Sequence, residues 1–149
     1  MKNQMTVTFN AISENEAFAR NAVAAFCVSL DPTVDQINDI KTAVSEAVTN
    51  SIVHAYPQNA EKEQITITTT VDDDSVHIVV SDNGIGIDDL EVARQPFYTT
   101  KPEQERSGMG FTVMESFMDL LSVEKNTPNG TVVTMTKTIR GADWKKKKH

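Results

Sequence analysis

The sequence predicts a single α/β domain. Three observations carry that expectation: short stretches in which apolar and polar residues alternate, longer stretches with apolar residues at helical spacing, and no linker, internal repeat or break in composition between them. At 149 residues the chain is long enough to bury a core without disulfides. Its 39% hydrophobic and 23% charged content is that of an ordinary globular domain.

Met5, Val7 and Phe9 alternate with polar residues and predict a half-buried first strand. Ser13 to Glu16 has the form of a capping box, a hydroxyl three residues before a carboxylate. It would open a helix whose apolar stripe is Phe18, Ala22, Val23, Phe26 and Leu30. Asp31-Pro32 breaks that helix and starts another, with Pro32 in a first turn where its missing N–H costs nothing. The second helix is expected from about Thr33 to Tyr56, with Ile37, Ile40, Val44, Val48, Ile52 and Ala55 facing the core and Pro57 closing it. After a polar loop from Gln58 to Glu63 come two strands, Ile65–Val71 and Val76–Val80, joined by a turn at Asp72-Asp73-Asp74. Asp82 to Gly86 is a turn, and Arg94 to Arg106, with two prolines and little periodicity, is a long loop of the kind that is usually functional. Gly110 to Leu121 is helical in pattern, and strands near Ser122–Lys125 and Thr131–Thr138 flank a turn at Pro128-Asn129-Gly130. The domain therefore covers residues 1–140, and the basic segment 141–149, with Lys145–Lys148, is expected to be a disordered tail of no assigned function.

The net charge of −7 repels nucleic acid, so a role in transcription would run through a protein partner. No stretch approaches the roughly 20 apolar residues that span a bilayer, and the first ten residues lack the apolar run of a signal peptide. The expectation is a cytoplasmic protein with no membrane or direct nucleic-acid contact. Cys27, the single cysteine, lies in an apolar run and reads as a small buried hydrophobe.

Glu46, Asn50 and His54 recur every four residues and form one polar stripe on the second helix, away from Val44, Val48 and Ile52. A carboxylate one turn before a carboxamide can hold a nucleophile beside a magnesium-bound phosphate, because magnesium prefers oxygen ligands and keeps several waters. Alone, that spacing suits a solvated helix face better than a catalytic site. Asp82-x-Gly84-x-Gly86 follows a strand; the glycines admit a flat ligand, and the carboxylate can accept from the exocyclic amine of adenine. Ser107-Gly108-Met109-Gly110 sits where the long loop meets a helix, and free N–H groups at a helix start bind anions. Thr99, Thr100, Lys101 and Arg106, just upstream, are suited to phosphates, and the Thr131 hydroxyl after Gly130 can reach the adenine through Asp82 or a water. There is no G-x-x-x-x-G-K-S/T loop, no G-x-G-x-x-G after a strand and no H-R-D or D-F-G pair, and the three histidines and one cysteine are too scattered for a zinc site.

Taken in order, E-x-x-x-N on a helix, D-x-G-x-G, a loop ending in G-x-G, and G-T resemble the four boxes of the GHKL ATPase superfamily. Within it, Ser45–Asn50, Ala93–Pro96, and Thr99–Glu103 with Glu105–Phe111 resemble the anti-sigma-F factors of spore-forming bacilli, a likeness that runs from Met1 to about Lys137. The resemblance implies a two-layer α/β sandwich of the Bergerat type, with a mixed, mainly antiparallel sheet and helices on one face. It also implies a dimer that sequesters sigma-F and an ATP-dependent serine kinase that phosphorylates the anti-anti-sigma antagonist. By the same resemblance Glu46 is the general base, Asn50 the Mg2+ ligand, Asp82 the adenine anchor, and Gly84, Gly86, Gly108 and Gly110 shape pocket and lid around ATP or ADP. Arg106 would neutralise charge on the γ-phosphate, and Arg20 would contact both protein partners. Ala55 departs from the glycine usual after the helix histidine, and the tail from Gly141 matches nothing in the family. A stress-response anti-sigma kinase, a detached histidine-kinase domain and a module that binds ATP without catalysis are the competing readings.

Overall fold

The computed structural model describes residues 2–55, 63–84, 110–126 and 130–139. Five strands form one sheet in the order β1-β2-β3-β5-β4, comprising β1 (Lys2–Asn10), β2 (Gln64–Asp72), β3 (Ser75–Ser81), β4 (Leu120–Lys125) and β5 (Thr131–Thr138). Each neighbouring pair is antiparallel. Among the described residues the helices are α1 (Asn15–Phe26), α2 (Val34–Asn50) and α3 (Gly110–Phe117).

Alternation along the strands sorts the sheet into two faces. Val7, Ile67, Val80, Val133 and Val123 form one inward row across all five strands, and Met5, Thr69, Ile78, Met135 and Leu121 form the next. These rows pack with Ala19, Val23, Ile40, Val44, Ala47, Val48, Phe111 and Met114 of the helices in one core. The opposite face carries hydroxyl rows, in which Thr6 bonds Thr68, Thr8 bonds Thr66, and the Gln4 amide donates to Thr70. The expected two layers, sheet and helices, are present.

Local chemistry moves several element ends. Ser13 and Glu16 do not form a capping box; Glu14 is the cap residue, without a side-chain bond, and the Glu16 carboxylate pairs with Arg20 one turn on. The box forms instead at α2, where the Thr33 hydroxyl accepts from Gln36 N–H at 3.1 Å and the Gln36 side chain accepts from Thr33 N–H at 2.9 Å. Pro32 thus lies before the cap rather than in the first turn. α1 ends at Phe26, and Cys27–Leu30 continue as a 3-10 turn that stops at Asp31, left-handed at φ 54°. α3 stops at Phe117, four residues short of the expected Leu121. There the Lys137 ammonium caps the Phe117 carbonyl at 2.8 Å, and Asp119 is taken up by β5 through Thr136 and Thr138. The acidic triplet does turn the chain between β2 and β3, with Asp73 at φ 56°.

Candidate functional site

The end of β3 delivers Asp82 into a buried position, where the residue is 3% exposed. One carboxylate oxygen, Oδ1, accepts from Gly84 N–H and Thr131 N–H, both at 3.1 Å. The other, Oδ2, accepts from the Ser51 hydroxyl at 3.0 Å. The Asp82 N–H donates to the Thr131 carbonyl at 3.0 Å. Burial pushes this carboxyl above the usual carboxylate range, and the bonds from Gly84, Ser51 and Thr131 pull back toward ionisation. A carboxylate offers about four acceptor directions, so the three donors among the described residues leave one on Oδ2. A buried, oriented acceptor with one open direction fits an exocyclic amine such as that of adenine.

Gly130 explains why the β4–β5 hairpin can close on this turn. Its φ is 106°, and a Cβ there would lie 2.0 Å from the Asp82 carbonyl oxygen, so only glycine lets the two backbones meet. Asn126, at the start of the same hairpin loop, donates its side-chain amide to the Asp82 carbonyl at 2.8 Å and to Asn83 Oδ1 at 3.1 Å.

Ser51 meets Asp82 at the point where the helix changes pitch. α2 proper ends at Asn50, and Ser51–Ala55 form a π-helical turn, a distortion often found at functional sites. Sequence reasoning passed over Ser51, although it stands seven residues after Val44 in the core stripe, where a buried hydroxyl must find a partner. Its bond to Asp82 brings the end of α2, with half-buried Asn50, up to the end of β3. Glu46, also half-buried, lies one turn, about 6 Å, earlier on the helix. It opens into a groove of about 340 Å³ between α1 and α2, lined by Glu16, Arg20, Asn38, Lys41, Thr42, Ser45 and Glu46. Arg20 and Glu46, assigned different tasks, therefore share one groove.

The structure brings together Asp82, Gly84 and Thr131, and places Glu46 with Arg20. Gly110 is the first residue of α3, and His54 lies in the π-helical turn with its side chain outside the described residues. Gly86, Thr99, Thr100, Lys101, Arg106, Ser107, Gly108 and Met109 lie outside the described residues. Among the described residues no three His, Cys, Asp or Glu side chains cluster as metal ligands. A cation held by Asn50 and by ligand phosphates would not need such a cluster.

The family profile described as a histidine kinase-like ATPase domain matches residues 9–137. An anti-sigma F factor of Clostridium beijerinckii is 57% identical over 91% of this chain and 94% of its own length. That of Bacillus subtilis is 53% identical over 93% and 94%. Among solved structures, the RsbU and RsbW domains of a Mycobacterium tuberculosis protein superpose with a TM-score of 0.67 at 19% identity, covering 92% of this chain and 32% of that one. The catalytic domain of histidine kinase ThkA superposes with a TM-score of 0.56 at 19% identity, covering 91% and 96%. The structural likenesses establish the fold, and the sequence likenesses go further. The chain whose central strand ends in this buried carboxylate, held by a helix end and a glycine hairpin, thus belongs to the histidine kinase-like ATPase family and, within it, to the anti-sigma F factors.

Proposed function

We propose that the chain binds and inhibits the sporulation sigma-F factor and, as an ATP-dependent serine kinase, phosphorylates the anti-anti-sigma antagonist of that factor. The observation that supports the reading is the shared groove: Arg20, expected to contact the partners, and Glu46, expected to act as general base, line one surface between α1 and α2. The identity to anti-sigma F factors, above 50% over most of the chain, supports sigma-F over a stress-response sigma factor.

Asp82 accepts from the adenine amine, with Gly84, Gly86 and Thr131 shaping the slot. Thr99, Thr100, Lys101 and the Ser107–Gly110 segment hold the phosphates of ATP, and His54 lies along the same polar stripe as Asn50. Asn50 would hold Mg2+, which when bound would neutralise phosphate charge. Glu46 takes the proton of the substrate serine as its Oγ bonds the γ-phosphorus; the bond from that phosphorus to the β–γ bridging oxygen breaks, and ADP leaves. Arg106 stabilises the charge that spreads over the transferred group. The protein works as a cytoplasmic homodimer, a single domain over residues 1–140, with no direct nucleic-acid or membrane partner.

The test is incubation with labelled ATP and the antagonist. Label should appear on a serine of the antagonist, and Glu46→Gln should abolish transfer while ATP still binds. Label on histidine, or full activity of Glu46→Gln, would overturn the mechanism; preference for a stress-response sigma factor in a pulldown would overturn the choice of partner.

A further inference from the structure

We infer that Asn126 is a positioning residue for nucleobase selectivity, acting through the backbone of Asp82; the inference rests on the reading of Asp82 as the base-binding carboxylate. Both protons of the Asn126 side-chain amide are committed to one short turn. One goes to the Asp82 carbonyl at 2.8 Å, the other to Asn83 Oδ1 at 3.1 Å. Carbonyl oxygens only accept, so the orientation of the amide follows from its partners. Asn126 is itself anchored, its backbone N–H donating to the Gly130 carbonyl at 2.9 Å.

Two clamps therefore act on Asp82 from the same hairpin. Thr131 holds its N–H and carboxylate, and Asn126 holds its carbonyl. With N–H, C=O and side chain all bonded, the residue cannot turn about its own backbone without breaking bonds to β5 or to the hairpin loop. That restriction matters for selection more than for attraction. A carboxylate free to swing can move away from a base that presents an oxygen, whereas a fixed one must remain acceptor against acceptor. Adenine presents an amine at this point and hypoxanthine a carbonyl, so rigidity at Asp82 becomes discrimination between them. Ser51 and Gly84 fix the carboxylate, and Asn126 holds the peptide that follows it.

The experiment compares ATP with inosine triphosphate, each titrated into the full chain by calorimetry, for the native protein, Asn126→Ala and Asn126→Asp. Thermal melting is recorded alongside. The aspartate keeps the shape and replaces two donors by acceptors facing two oxygens, so it should do more harm than the alanine. The native protein should prefer ATP; Asn126→Ala should weaken ATP binding about five- to tenfold and change inosine triphosphate binding less than about twofold, narrowing the ratio. A merely structural role would lower both affinities together with the melting temperature. Variants with an unchanged ratio, while the native protein selects ATP, would overturn the inference alone. A native protein that binds both nucleotides equally, or neither, would overturn the reading of Asp82 as well.

Discussion

Replacing Asp82 by asparagine removes a charge and keeps a shape. The carboxamide oxygen can still accept from Gly84 and Thr131, and the Ser51 hydroxyl can turn to accept from the new amide. Because burial raises the Asp82 carboxyl, its ionised form is unfavourable in the folded chain. The native protein binds the extra proton over the interval between the ordinary and the raised value, so this stability is present below the ordinary value and lost as pH rises through the raised one. A neutral carboxamide does not titrate and escapes that loss. At neutral pH we expect Asp82→Asn to melt at or above the temperature of the native protein. ATP binding should fall about a hundredfold, since an amide N–H₂ would face an adenine amine, a mismatch of about 3 kcal/mol. Differential scanning fluorimetry from pH 4 to 8, paired with calorimetric titration of ATP, measures both. A variant that melts several degrees lower and binds ATP as well as the native protein would refute the reasoning, because the carboxylate would then serve the fold and not the ligand.

Gly130→Ala should cost about 3 kcal/mol or more, since a Cβ 2.0 Å from the Asp82 carbonyl and a left-handed φ both oppose it; chemical denaturation reads the loss, and a cost below about 1 kcal/mol would contradict the close approach. Cys27 is fully buried and its thiol is pushed up to about 11 by burial, so it should resist alkylation in the folded chain at pH 8 and react on unfolding. Its raised value also means that stability is lost as pH rises from about 9 to about 11, a window that Cys27→Ala would remove in an alkaline melting series.

Strand alternation at Met5–Phe9, Ile65–Val71 and Val76–Val80 made the sheet legible, because burial on one face writes a period of two into the sequence. The stripe through Ile40, Val44 and Val48 made α2 legible for the same reason at a different period. Element ends were harder. Thr33 and Ser13 are both followed three residues later by a side chain able to complete the box, and what separates them is that Glu16 pairs with Arg20 while Gln36 is left for its cap. Nothing local stops α3 at Phe117; Lys137 and β5, about 20 residues on, do. In the site, Asp82 and Thr131 stood out through neighbouring glycines. Ser51 was visible only as a hydroxyl in an apolar stripe, and Asn126 had no signal, since its partners are backbone and side-chain oxygens 44 and 43 residues away.

Those separations bear on how the chain acquires its competence. Asp82 meets Ser51 across 31 residues, Asn126 across 44 and Thr131 across 49. None of these three encounters is local, so the carboxylate gains its full set of donors only after β3 and β5 have paired and α2 has docked, the bond from Gly84 alone being short-range. A partly folded chain would hold the Asp82 residue but not its direction. Nucleotide would then be captured by the finished fold alone and, by mass action, would drain intermediates toward it.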